Sequence, residues 1–151
     1  MAWIIELLAR FLQPKQAEPI AKVREYITVW TQIQWILDNL QIPRYDAWDD
    51  EYFYTDLNFW KYIFGIVRQN LPAYEKNRFD CDKYAVTVAA RVYERFKLNS
   101  IGVVIGESPY GYHSWSCFFT PDGLYYLEPQ TGEIWPANKP GQYKADYILF
   151  A

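Results

Sequence analysis

Three residues of this chain have the types that covalent acyl transfer needs: Cys81, His113 and Glu128. Cys81 falls in the first turn of a helix predicted to open at Asp80-Cys81-Asp82. There the free backbone N–H groups and the helix dipole favour a thiolate, the reactive form of the side chain. Asp80 stands where an N-cap belongs. An inert, buried thiol is the plain alternative for Cys81, and core packing is the expectation for Cys117, mid-strand between Ser116 and Phe118. His113 is the only histidine in the chain. A lone histidine is more often structural than chemical, so its role turns on what faces it.

What faces it follows from a hairpin. His113 to Phe119 and Leu124 to Glu128 read as strands around Thr120-Pro121-Asp122-Gly123, a type I turn sequence with Gly in the left-handed position. With no offset, paired residue numbers sum to about 243, which sets His113 opposite Gln130 and Trp115 opposite Glu128. These four side chains then share one face, with Glu128 the diagonal neighbour of His113; a one-residue bulge would undo the relation. Granted this register, a nucleophile, a base and a carboxylate that orients the base stand in order.

The elements that must position them are helices first, then strands. Trp3, Ile4, Leu7, Leu8 and Phe11 recur at helical spacing, so residues 2 to 12 read as an amphipathic helix that docks on the domain or on a partner. Pro14 and Pro19 bracket a linker. A longer helix is expected from about Ile20 to Leu40, ended by Pro43. Residues 44 to 56 read as an aromatic and acidic loop without calcium-loop spacing. Thr55 or Asp56 is set to cap a third helix reaching about Asn70. The helix from Asp80 shows Tyr84, Ala85, Val88, Ala89, Val92, Tyr93 and Phe96 on one face and ends near Asn99. Ile101 to Gly106 is a buried-strand run; Glu133 to Trp135 and Tyr143 to Phe150 supply further strands. The fold class is α+β.

Composition limits the partners. The chain has 151 residues, enough for one compact domain with a core, and a net charge of −3 with no basic run, which speaks against nucleic acid. Aromatic residues make up 20% of the sequence, more than a core alone requires, and hint at a lined groove. Two cysteines do not make a disulfide framework. No stretch has the roughly 20 apolar residues of a transmembrane helix, and the first residues lack a basic signal-peptide region, so a cytoplasmic location is expected.

With these motifs in place, a resemblance emerges. Phe79-Asp80-Cys81-Asp82-Lys83-Tyr84-Ala85, His113-Ser114-Trp115 and Glu128-Pro129-Gln130-Thr131-Gly132-Glu133 resemble the papain-like and transglutaminase-like cysteine hydrolase superfamily. More narrowly they resemble small phage and bacterial proteins of papain-like fold and the C-terminal protease domain of the fairy-ring mushroom agglutinin. The resemblance implies a papain-like core over residues 45–151, with residues 1–44 as an N-terminal helical segment, and N-terminal helices beside a catalytic helix packed on an antiparallel sheet. It implies a cysteine protease or amidase that cleaves peptide or isopeptide bonds through a thioester, with Cys81 as nucleophile, His113 as base and Glu128 as orienter. Calcium or manganese is the implied cofactor, held by Asp82, Glu128 and Gln130. Trp115, Tyr110 and Trp48 are the expected substrate-binding residues; Gln69, Asn70 or the Cys81 N–H would serve the oxyanion. A peptide or protein is the implied partner, and a virion or phage the alternative location. The rival reading is a non-catalytic phage structural, carbohydrate- or peptide-binding module on the same fold.

Overall fold

Alternation and helical spacing decide most of the architecture, and long-range pairing decides the rest. The computed structural model describes residues 24–151. The helix expected over residues 2 to 12 and the linker after it lie outside the described residues. Within the expected 20–40 helix, the chain instead forms strand β1 (Tyr26–Val29) and then helix α1 (Trp30–Asn39). β1 pairs antiparallel with β3 (Glu51–Tyr54), Tyr26 opposite Tyr54 and Val29 opposite Glu51. Ile27 and Val29 are β-branched, and their partners Phe53 and Glu51 lie 26 and 22 residues away, where helical periodicity carries no trace of them. The expected 44–56 loop is for the same reason partly strand: besides β3 it holds β2 (Tyr45–Ala47), which pairs parallel with the C-terminal strand β8 (Lys144–Phe150).

Helix α2 (Leu57–Val67) starts where Asp56 caps it, the carboxylate accepting from Phe59 N at 2.9 Å. It stops earlier than expected, with Arg68 as C-cap. Helix α3 (Cys81–Phe96) has Asp80 at the N-cap position and ends on Lys97 in the left-handed conformation, before the anticipated Asn99. Then come β4 (Ile101–Ser108), β5 (Gly111–Thr120), β6 (Gly123–Leu127) and β7 (Ile134–Pro136). The main sheet runs β2-β8-β4-β5-β6-β7 and is antiparallel except at β2–β8. The β5–β6 ladder pairs Ser116 with Leu127 and Thr120 with Gly123, the register that sums to 243.

The two faces of β5 carry two cores. On one, Trp115, Cys117 and Phe119 join Ile33 and Leu37 of α1, Tyr52 of β3, and Tyr126, Ile148 and Phe150. On the other, Phe118 and Leu127 meet Trp60, Ile63, Phe64 and Val67 of α2 and Val88, Val92 and Phe96 of α3. The helices and sheet thus make an α+β protein. Each fully buried large apolar side chain here contributes about 1.5–3 kcal/mol relative to an exposed one. Trp60 adds an indole N–H bond to Phe119 O at 2.7 Å. Cys117 packs in the core as expected, on the face of β5 away from α3, because alternate strand residues point to opposite sides. Among the described residues no helix is long and apolar enough to cross a membrane.

Candidate functional site

The site forms where the N-terminus of α3 meets the end of the β5–β6 hairpin. Cys81 is held there by the turn before it: Glu75 N donates to Phe79 O (2.9 Å) and Phe79 N to Glu75 O (2.8 Å), folding residues 75–79 back on themselves. Tyr84, one turn into α3, fastens the helix to the approaching chain through its hydroxyl, which donates to Pro72 O at 2.5 Å. Asp80 occupies the cap position without a side-chain cap bond. Its carboxylate accepts from Asn77 N and from Lys83 Nζ, both at 3.0 Å. Contacts with Asp82 and Lys83 hold the Asp80 carboxyl well below its usual range.

His113 and Glu128 are both buried and meet directly, with His113 Nε2 2.7 Å from Glu128 Oε2. A carboxylate only accepts, so Nε2 carries the proton and Nδ1 is the ring's other functional atom. Glu128 follows the last ladder residue of β6 and is the diagonal neighbour of His113, as the register dictates. Its second oxygen accepts from Gln130 N at 3.3 Å. Behind the imidazole lies Trp115, with ring centroids 6.2 Å apart; Tyr143 stands to one side at 6.4 Å and Tyr110 in front at 6.1 Å. Burial, and then the Glu128 charge, push the Tyr143 phenol up to about 12.

Cys81, His113 and Glu128 open into one cleft of about 510 Å³, lined also by Tyr74, Tyr110, Tyr112, Gln130 and Thr131. Three phenol rings with polar side chains beneath them can clasp a ligand from its flanks while hydrogen bonds fix its orientation. Among the expected substrate residues, Tyr110 lines this cleft, as does the ligand candidate Gln130. Trp115 does not: it is fully buried and serves as the packing wall behind His113. Trp48 is exposed but lies elsewhere, its N–H donating to Phe150 O beside the β2–β8 pair. Tyr74, Tyr112 and Thr131 join the lining without having been singled out by the sequence. Tyr112 sits in the Pro109-Tyr110-Gly111-Tyr112 stretch and is open to inference from its loop, whereas Tyr74 carries no local signal.

The three oxygen donors expected for calcium or manganese do not form a fitting set. Asp82 is absent from the cleft lining, and Lys83 Nζ lies 3.0 Å from each of its oxygens. Both Glu128 oxygens are also engaged, by His113 and by Gln130 N. Among the described residues no group of three His, Cys, Asp or Glu is placed to hold a metal. A residue one step along a helix points about 100° away, which is why Asp82 turns from the cleft that Cys81 enters.

No protein-family model matches the sequence, and no curated protein matches it. Solved structures share the fold, two among them as follows. A PSL1a–E64 complex matches with a TM-score of 0.67 and 22% identity over 82% of this chain and 51% of that one. Polyporus squamosus lectin bound to the human-type influenza-binding epitope Neu5Aca2-6Galb1-4GlcNAc matches with a TM-score of 0.65 and 22% identity over 82% of this chain and 49% of that one. The chain therefore spans about half the length of either neighbour. One of these neighbours is a lectin, which overturns the papain-like cysteine hydrolase identity drawn from the Cys, His and Glu motifs, and the cysteine-protease and transglutaminase-like descriptors fall with that identity. The motifs mislead for a physical reason. A thiol, an imidazole and a carboxylate around a cleft also suit the recognition of a ligand, and a fold hosts many chemistries. By these comparisons 82% of the chain shares its fold with about half of each neighbour.

Proposed function

We propose that this chain is a ligand-binding module and that the cleft over Cys81, His113 and Glu128 takes a neutral saccharide. The observation that carries the reading is the lining itself. Tyr74, Tyr110 and Tyr112 are each more than half exposed, yet they converge on a cleft floored by hydrogen-bonding groups. Saccharides have apolar faces that stack on such rings, and hydroxyls that pair with carboxylate, amide and hydroxyl groups. The lectin neighbour supports a carbohydrate over a peptide.

Charge selects within that class. No Lys or Arg lines the cleft, and Glu128 brings a carboxylate to its floor. A sialic acid carboxylate there would meet a like charge with no cation to offset it. The desialylated core Galb1-4GlcNAc should therefore bind in preference to the full epitope that the lectin neighbour holds.

Saturation-transfer NMR against both saccharides tests this. The expected result is transfer to Galb1-4GlcNAc with a Kd between about 1 μM and 1 mM, weakened about tenfold or more in Tyr110→Ala/Tyr112→Ala. Absence of transfer to either saccharide would overturn the reading. E64, the compound bound in the other neighbour, serves as a further probe. Tighter binding of E64 than of any saccharide would overturn the saccharide assignment.

A further inference from the structure

Glu128 lies just past the end of β6, where the Leu127–Ile134 pairing gives way to the turn that leads into β7. Its own turn closes locally: Glu128 N donates to Glu133 O (2.9 Å), Gly132 N to Glu128 O (2.7 Å), and Gln130 N to the Glu128 carboxylate. These bonds lie within the β6–β7 connection itself and do not tie the 129–132 turn to the helices. Arg68, the residue that ends α2, makes that attachment. Its Nε donates to Pro129 O at 2.8 Å and its Nη2 to Gln130 O at 3.1 Å. The fork of the guanidinium thus grips two successive carbonyls, a geometry that a lysine ammonium does not reproduce. Gly132 completes the seat. Its φ of +85° suits glycine, and a Cβ there would fall 2.1 Å from Arg68 Nη1.

We propose that Arg68 is the positioning residue of the candidate site: by pinning the 129–132 turn to the end of α2, it fixes Glu128, and through Glu128 the orientation and tautomer of His113. The site's role in ligand binding rests on the reading above, but the positioning itself does not. The guanidinium is partly withdrawn from water, with the Glu128 carboxylate as the nearby charge that favours its cationic form. Its acceptors are neutral carbonyls, so an exposed salt bridge is not what holds it.

A second arginine supplies the control. Arg91 Nη1 donates to Val67 O (2.6 Å) and Gln69 O (2.8 Å), securing the same end of α2, and it neither bonds the 129–132 turn nor lines the cleft. Because His113 is the only histidine, its hydrogen-bonded ring N–H gives one assignable proton signal in 15N-labelled protein. In Arg68→Ala that proton should exchange with water about tenfold faster or more, the loss expected when about one hydrogen bond's worth of order is removed. In Arg91→Ala it should exchange as in the unaltered chain, even where the melting temperature falls. Gly132→Ala, which drives a methyl into the guanidinium, should reproduce the Arg68→Ala exchange rate. Equal acceleration in Arg68→Ala and Arg91→Ala would overturn the proposal, as would an unchanged rate in Arg68→Ala or no protected ring N–H in the unaltered chain. The exchange measurement needs no ligand, so a failed saccharide titration has no bearing on its outcome.

Discussion

The two cysteines of this chain stand in opposite physical settings. Cys81 sits at the first turn of α3, partly exposed, with a cleft in front of it. Cys117 lies mid-way along β5, fully buried between Trp115 and Phe119 of the same face, where burial pushes its thiol far up. Gly102, opposite it on β4, leaves so little room that a Cβ would come within 3.1 Å of the Cys117 sulfur. The first region opens onto a cleft and is assembled from polar groups, tyrosine rings and turns. The second is close-packed and admits nothing. The same side chain is therefore available chemistry in one place and filler in the other, and its surroundings make the difference.

The largest expected effect separates the two thiols directly. Iodoacetamide should modify Cys81 in the folded chain and reach Cys117 only when the sheet opens. The rate ratio should then approach the unfolding equilibrium, several powers of ten for a domain stabilised by about 5–15 kcal/mol. Peptide mapping after timed alkylation measures it, and comparable rates at the two sites would erase the contrast.

Next in size is truncation of the interior. Trp60 is fully buried, stacks on Phe64 at 5.3 Å and bonds Phe119 O, so Trp60→Ala should cost about 3–5 kcal/mol in urea unfolding. Glu128→Ala at the cleft should cost less, about 1–3 kcal/mol, chiefly from leaving the buried His113 N–H without its acceptor. If Glu128→Ala matched Trp60→Ala, the cleft would be as much a part of the core as the helices behind the sheet.

The smallest effect sharpens the comparison through pH. Burial raises both the Cys117 thiol and the Tyr143 phenol, the latter up to about 12. Each therefore keeps its proton in the folded chain at pH values where the unfolded chain has lost it. Stability from both groups is fully present below about pH 9, the ordinary thiol range, and falls as pH rises through the alkaline range. Replacing Cys117 with Ala should remove the part of this slope that begins near pH 9. Tyr143→Phe should remove the part that begins near pH 10. An unchanged alkaline slope in both variants would show that neither burial matters to the folded state.

Much of the local structure is legible in the sequence because its causes are local. Asp56 caps α2 through a carboxylate three residues from the N–H that it accepts. The Thr120–Gly123 turn sets the β5–β6 register, and that register alone brings Glu128 diagonal to His113. The start of α3 at Cys81 follows from its apolar periodicity. Strands β1, β2 and β3 are not legible, since their hydrogen-bonding partners lie far along the chain. Register assigns Trp115 to the face of His113 correctly but carries no information on depth, so a wall residue passes for a lining residue. Asp82 looks like a third ligand because sequence proximity to Cys81 hides the rotation of a helix and the grip of Lys83.

By itself, then, the sequence determined the elements whose periodicity and capping are contained within a few residues, together with the one hairpin register. Only the tertiary structure decided which of those elements share a cleft, that Tyr74 and Tyr112 join Tyr110 around it, and that Arg68 at the end of α2 grips the turn beyond Glu128. These contacts join residues up to 62 positions apart, as Arg68 and Gln130 are. Their energy depends on atoms brought within about 3 Å by packing, a distance that spacing along the chain does not encode.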